Sequence, residues 1–191
     1  VEKTGAPQIF QLLTGSAGRK LATDGRVPLV SATGSTAMGK VVGEQVGARL
    51  GRTILELGGN NAVLVTEGAD LEMAVRAVLF GAVGTAGQRC TSTRRLLLQK
   101  PVAGEVTERL VKAYGQVRIG DPLDEGTVMG PLVATSAVED YVNAIKIIKE
   151  QGGEILCGGN VIADKAGGCY VEPTIVKARA DMPIVQEETF A

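Results

Sequence analysis

The 191-residue sequence predicts an α/β protein. Short apolar runs alternate with amphipathic stretches along most of the chain, which is the order of elements typical of α/β folds. Around residues 27–57 the order is an apolar run, a helical stretch and a second apolar run, with almost no residues between them. The two apolar runs are predicted to be strands, with a helix directly after the first of them.

The individual elements follow from local signals. Asp70 is a good N-cap for the helix after it, and Pro101 opens a helix with an apolar stripe over residues 102–117. Ser136 and Glu139 have capping-box spacing, and Gly152 ends the helix that they would begin. The predicted strands are residues 8–13, 27–32, 53–57, 62–66 and 96–99, and the predicted helices begin near residues 19, 36, 70, 101 and 136. The remainder of the chain after residue 153, through 169–176, is predicted to be strand-like.

Composition excludes several classes of function. The net charge is −1, with 20 basic and 21 acidic residues, which argues against nucleic-acid binding. We expect no membrane span, no signal peptide and a cytoplasmic protein with reduced thiols. There is no histidine, so a Ser-His-Asp triad and a Cys-His pair are excluded within this sequence, and three cysteines without CxxC spacing predict no metal site.

The segment of residues 29–40, LVSATGSTAMGK, has the pattern strand, turn, helix. Amide groups at a helix N-terminus suit a phosphate, Gly34 permits close approach, Ser35 supplies a hydroxyl, and Gly39 lets the helix pack near the sheet. Val41 stands where a P-loop has its magnesium ligand, and the spacing of a G-x-G-x-x-G motif is missing. Phosphate binding and a purely structural tight turn both remain open on this pattern.

A second segment, residues 55–61 (LELGGNN), places Glu56 between two leucines at the end of a strand. Ligands gather at the carboxyl ends of strands in α/β proteins, and desolvation strengthens a carboxylate as a base. Simple alternation, with Glu56 on the solvent side of a half-buried strand, explains the pattern equally well.

A third segment, residues 84–91 (GTAGQRCT), surrounds Cys90 with small residues between a helix and a strand. A free cysteine is more often a small buried hydrophobe than a nucleophile, although the neighbouring Arg89 favours a thiolate here. Cys157 and Cys169 have no comparable setting.

Together these segments resemble the aldehyde dehydrogenase superfamily. The family pattern F-T-G-S-T-x-x-G matches residues 33–39, with Ala32 in place of phenylalanine; L-E-L-G-G matches 55–59, and G-Q-x-C matches 87–90. Later landmarks of the family resemble residues 120–123, 130–132, 173–174 and 187–190, so the resemblance covers nearly the whole chain.

The resemblance implies an aldehyde dehydrogenase-like α/β fold with an active site in a tunnel between two domains. Residues 1–57 would be the C-terminal part of a Rossmann-like NAD(P)-binding domain, and residues 58–191 most of a catalytic domain. Cys90 would be the nucleophile, Glu56 the base that activates water, and Thr91 would lie beside the substrate. The residues that would contact the cofactor, NAD with NADP not excluded, are Gly34, Ser35, Gly39, Leu57, Glu188 and Phe190.

The sequence around Cys90 is similar to the antiquitin branch, which oxidises α-aminoadipic semialdehyde in lysine breakdown. Arg89 would then pair with the distal carboxylate of the substrate, or would only support the turn at Cys90. We expect a homo-oligomer when full length, and little activity from these 191 residues alone, because the upstream asparagine of the oxyanion hole is missing. The alternative function is a non-catalytic structural or interaction fragment on the same scaffold.

Overall fold

The computed structural model describes residues 10–165 and 167–191. The chain divides into two compact units, Val1–Gly58 and Gly59–Ala191. The division lies one residue after the boundary expected from the sequence, and the functions assigned to the two parts stay predictions.

The first unit is built on a parallel strand pair. Its elements are α1 (Gly18–Thr23), β1 (Leu29–Thr33), α2 (Thr36–Ala48) and β2 (Arg52–Glu56). The strands pair from Leu29↔Arg52 to Thr33↔Glu56. Ser35 caps α2 by accepting a hydrogen bond from the Met38 amide at 3.1 Å, which is why the helix begins directly after β1.

The predicted strand over residues 8–13 falls partly outside the described residues. Residues 10–13, which are described, have no regular structure, and that part of the prediction is wrong. Phe10 and Leu12 are exposed. An extended segment without a neighbouring strand has no ladder to hold it.

The second unit contains the other helices and strands of the described chain, and its first half again alternates between strand and helix. They are β3 (Ala62–Val65), α3 (Leu71–Val83), β4 (Arg95–Leu98), α4 (Lys100–Tyr114), α5 (Thr135–Glu150), β5 (Glu154–Cys157), β6 (Val161–Ile162), β7 (Tyr170–Val171), β8 (Ile175–Lys177) and α6 (Pro183–Gln186). β3 pairs with β4 in parallel, while β5 pairs with β8 and β6 with β7 antiparallel. The predicted α/β class is therefore confirmed.

Two apolar clusters form the core of the second unit. One joins β3, α3 and α4, and it contains Val102, Val106 and Leu110, the buried part of the stripe predicted on α4. The other lies between α5 and the loop over residues 129–132, and its buried members include Tyr141 and Ile145. These clusters hold the ends of α3 and β4, and the Cys90 loop connects those ends.

The predicted ends of α3 and α5 agree with the structure in part. The Asp70 cap is confirmed by a 3.0 Å bond from the Met73 amide, and Gly152, at φ +85°, follows α5 as predicted. The capping box is wrong: α5 begins at Thr135, so Ser136 lies inside the first turn and caps nothing. Val142, predicted to face inward, is 48% exposed because it lies about 100° around the helix from buried Tyr141. The short strands β5 to β8 lie in the stretch after residue 153 that is predicted to be strand-like.

None of the helices in the described parts of the chain is both long enough and apolar enough to cross a membrane.

Candidate active site

Cys90 lies in an exposed loop between α3 and β4. A tight 3₁₀ turn, Gly84–Gly87, leads into it, and three successive residues of this turn have left-handed backbone: Thr85 at φ +55°, Ala86 at +50° and Gly87 at +71°. Such a conformation is unfavourable for residues with a Cβ. The chain therefore enters the Cys90 loop through a strained turn.

Gln88 fixes the position of this turn. Its side-chain Nε2 donates to the Thr85 carbonyl at 3.1 Å, and its Oε1 accepts from the Val133 amide at 2.8 Å. Ala86 is buried beside the turn. The turn is thus held against the loop over residues 131–133.

Backbone carbonyls of the Cys90 loop (residues 88–94) are held by Asn61. Its Nδ2 donates to the Cys90 carbonyl at 2.6 Å and to the Ser92 carbonyl at 3.1 Å. Buried Ser92 closes the loop, since its hydroxyl accepts from the Arg89 amide at 3.2 Å and its amide donates to the Arg89 carbonyl at 3.0 Å. The backbone at Cys90 is fixed while the thiol stays exposed.

Arg94 is the most highly connected side chain near Cys90, and its role was not predicted from the sequence. Its side chain is 8% exposed. Five hydrogen bonds leave the guanidinium: Nε to Gly59 O (3.2 Å), Nη1 to Gly87 O (3.0 Å) and Thr189 O (2.7 Å), and Nη2 to Arg89 O (2.9 Å) and Glu188 Oε1 (3.0 Å). The only sequence signal was the pair of arginines, Arg94 and Arg95, at the start of β4.

Glu188 and Phe190 both contact Arg94. Glu188 Oε1 also accepts from the Gly59 amide at 3.2 Å, and the Arg94 guanidinium carbon lies 5.2 Å from the centre of the Phe190 ring. Phe190 remains 45% exposed. The structure therefore brings Glu188 and Phe190 together with the Cys90 loop, as neighbours of one guanidinium.

The Arg89 side chain lies against α3. Its guanidinium carbon is 5.1 Å from the centre of the Phe80 ring, and Nη2 donates a long 3.4 Å bond to the Phe80 carbonyl. The Nε atom is buried and, within the described residues, has no hydrogen-bond partner. Thr91, the other predicted substrate contact, is exposed.

The residues predicted to contact a phosphate lie in the first unit. Gly34 and Ser35 are exposed where β1 ends and α2 begins, and the Gly34 amide donates to the Glu56 carbonyl at 3.0 Å. Gly39 is buried, and a Cβ built there would lie 2.5 Å from a methyl carbon of Leu57. The close approach of α2 to the strand end, predicted from Gly39, is confirmed; cofactor contact by these residues stays a prediction.

The Glu56 side chain is exposed. Ile54 and Glu56 lie on one face of β2 and are both exposed, whereas Leu55 on the other face is half-buried. The structure therefore shows simple alternation along β2, which is one of the two interpretations of the sequence. Glu56 lies on the exposed face of this strand.

The other two cysteines are half-buried. Burial raises the pKa of the Cys157 thiol. Among the described residues, no group of three or more cysteine, aspartate or glutamate side chains is placed to hold a metal ion.

Comparison with known proteins decides the family. The whole chain, residues 1–191, matches the model of the aldehyde dehydrogenase family. The chain belongs to this family. It is 51% identical over 185 residues to aldehyde dehydrogenase family 7 member A1 of Pisum sativum, an alignment that covers 96% of this chain and 36% of that protein. It is 50% identical over 186 residues to the alpha-aminoadipic semialdehyde dehydrogenase of Mus musculus, covering 96% and 34%.

A solved structure of the family has the same fold. The betaine aldehyde dehydrogenase of Staphylococcus aureus, in complex with NAD+, superposes with a TM-score of 0.89 at 30% identity, over 92% of this chain and 36% of that one. The predicted family and aldehyde dehydrogenase-like fold are confirmed, and the predicted branch agrees with the name of the mouse relative. This aldehyde dehydrogenase chain spans just over a third of the length of the pea relative.

Proposed function

We propose that this chain carries the nucleophile and the base of an NAD-dependent oxidation of an aldehyde to a carboxylic acid. The observation that supports it most is the exposed Cys90 thiol on a backbone fixed by Asn61, in a member of the aldehyde dehydrogenase family. The proposed substrate is a semialdehyde such as α-aminoadipic semialdehyde, because the mouse relative is named for that compound.

Each of the two units supplies residues proposed to hold NAD. The N-terminus of α2 is exposed, and Ser35, whose oxygen accepts from Met38, keeps its hydroxyl proton free to donate to a phosphate. Gly59 and Arg94 both donate hydrogen bonds to Oε1 of Glu188, and this carboxylate is proposed to accept a hydrogen bond from a ribose hydroxyl. The ring of Phe190 is partly exposed, so it can contact the cofactor. When bound, NAD supplies the acceptor for the hydride that leaves the substrate.

Cys90 and Glu56 would act in succession. The Cys90 sulfur bonds to the aldehyde carbon and gives a thiohemiacetal, whose oxygen accepts from the Cys90 amide. Loss of the hydride from that carbon and of the hydroxyl proton to solvent leaves a thioester on Cys90. Glu56 takes a proton from a water molecule, the water oxygen attacks the thioester carbon, and the carboxylic acid leaves as the thiol is restored.

Arg89 and Thr91 are proposed to bind the substrate. Within the described residues the buried Nε of Arg89 has no hydrogen-bond partner, and its guanidinium makes a long bond to the Phe80 carbonyl beside the Phe80 ring. Exchanging that bond for a bidentate carboxylate is favourable, because charge-assisted pairs are the stronger hydrogen bonds. Self-association of the full-length protein and a cytoplasmic location are proposed from the resemblance and the composition alone.

Turnover is tested in a chimera in which this chain replaces the matching segment of the Pisum sativum relative, because the chain spans 36% of that protein. NAD reduction with a panel of semialdehydes is expected, and Cys90→Ser should abolish it while Cys157→Ser should not. Glu56→Gln should let an acyl adduct accumulate on Cys90, which mass spectrometry detects. Normal turnover by the Cys90→Ser chimera would refute the proposal.

A further inference from the structure

The Arg94 guanidinium connects three segments that are far apart in the sequence. Its acceptors lie at Gly59, in the Cys90 loop and its entry turn, and in the segment of residues 188–189. Each segment contributes at least one backbone carbonyl. A side chain that is 8% exposed and holds carbonyls from three segments fixes their relative positions.

The number of acceptors matches the number of donors. Arginine has five N–H groups in a rigid planar fork, and the structure gives five hydrogen bonds from this guanidinium. A lysine ammonium has three N–H groups, so it could bind at most three of these five acceptors. The position therefore demands arginine rather than a positive charge alone.

The segment of residues 188–191 contacts the entry turn of the Cys90 loop independently of Arg94. A Cβ at Gly87 would lie 2.8 Å from the Ala191 carbonyl oxygen, so the two backbones run against each other. The Gly59 amide donates to the same Glu188 oxygen that Arg94 binds. Glu188 is thus fixed on one carboxylate oxygen by two donors.

We propose that Arg94 is a positioning residue, which aligns the Cys90 loop with the Glu188 carboxylate so that the nucleophile and the cofactor contact keep a fixed separation. The inference rests on the proposed function for its catalytic meaning, but the alignment itself does not require turnover.

Two amide protons of the 191-residue chain report on the two sides of this alignment. The Ser92 amide donates to the Arg89 carbonyl that Arg94 also binds, and the Gly59 amide donates to Glu188. Arg94→Lys should accelerate hydrogen exchange at both by about tenfold or more, since at least two of the five acceptors lose their bond to residue 94 and the segments are no longer held together, while amides in α4 stay unchanged. Arg109→Lys, at an exposed ion pair with Glu105 on α4, is the matched control and should change neither.

Two further variants keep the test decisive even if Arg94→Lys does not fold. Asn61→Ala removes two hydrogen bonds to carbonyls of the Cys90 loop and should accelerate the Ser92 amide more than the Gly59 amide, which lies beside the Asn61 side chain without bonding to it. Glu188→Ala should accelerate the Ser92 amide about threefold through Arg94, although Glu188 makes no bond to that amide. An unchanged Ser92 amide in Glu188→Ala, or equal acceleration throughout α4 in Arg94→Lys, overturns the inference.

Kinetics of the chimera separate positioning from folding. Arg94→Lys should lower kcat and also raise KM for NAD, whereas loss of folded enzyme alone would leave KM unchanged. An unchanged KM overturns the catalytic part of the inference. If the chimera with the wild-type segment shows no turnover, the proposed function fails, and the exchange measurements still decide whether Arg94 aligns the two segments.

Discussion

Gly158→Ala is expected to destabilise the second unit far more than the same change at Gly152. Both glycines have left-handed backbone, at φ +77° and +85°. A Cβ at Gly158 would press on the Pro173 carbonyl oxygen and lie 2.7 Å from Thr174 Oγ1 and 2.9 Å from Thr174 Cα. At Gly152 the nearest atom is the end of the Arg179 side chain, at an ordinary 3.7 Å.

The two costs can be separated from this geometry. Left-handed backbone costs an alanine about 1–2 kcal/mol at either position. The clash at Gly158 adds about 1–3 kcal/mol, because backbone atoms cannot rotate away. Displacing Thr174 would also disturb its hydroxyl, which lies 2.8 Å from the Tyr141 hydroxyl and accepts from the Gly159 amide at 2.9 Å. We expect total costs of about 2–5 kcal/mol for Gly158→Ala and about 1–2 kcal/mol for Gly152→Ala.

Urea unfolding followed by circular dichroism measures both variants beside the wild type. Equal slopes against urea are required for the comparison, since a changed slope means a changed unfolded or native state. Free energies of unfolding that agree within about 0.5 kcal/mol for the two variants would show that Pro173 and Thr174 yield to the new methyl group, and would refute the reasoning.

Three further outcomes are expected. Ser92→Ala should cost about 1–2 kcal/mol, because the Arg89 amide loses its acceptor, whereas exposed Thr91→Ala should stay within about 0.5 kcal/mol, as urea unfolding would show. Burial raises the pKa of Tyr114 from 10.0 to about 12, so the folded state favours the neutral phenol. The stability that this group contributes is present below pH 10 and is lost between pH 10 and about 12. In Tyr114→Phe, the free energy of unfolding should fall less over this pH range than in the wild type. Near neutral pH, an uncharged thiol reagent should label Cys90 faster than Cys157, whose thiol is half-buried with a raised pKa; equal rates by mass spectrometry would contradict this.

The elements that the sequence predicted well are those with a complete local signal. Asp70 lies three residues before the amide that it caps, and Val102, Val106 and Leu110 repeat at helical spacing on α4. The capping box failed although its spacing was right. A serine caps a helix only from a non-helical position, and the chain is already helical at residue 135.

The site was predictable where it depends on motifs and unpredictable where it depends on the fold. Cys90 and Glu188 stand in recognisable segments of the family. The role of Arg94 was not predicted because four of its five acceptors are backbone carbonyls. Every residue has a backbone carbonyl, so the amino-acid sequence does not indicate which carbonyls accept a hydrogen bond. The role of Asn61 was not predicted for the same reason, since its side-chain amide donates hydrogen bonds to the backbone carbonyls of residues 90 and 92.

The small residues before Cys90 have a physical explanation beyond access for a substrate. Thr85 and Ala86 keep left-handed backbone at about 1–2 kcal/mol each, a cost that must be offset by contacts of the turn. Gln88 holds the Thr85 carbonyl, Arg94 holds the Gly87 carbonyl, and buried Ala86 leaves no space for a larger side chain. Releasing either carbonyl removes a contact that offsets the strain, and the turn would then relax toward ordinary backbone angles. The backbone that leads into Cys90 is therefore held by side chains that bind carbonyls of the turn, even though neither side chain is proposed to react.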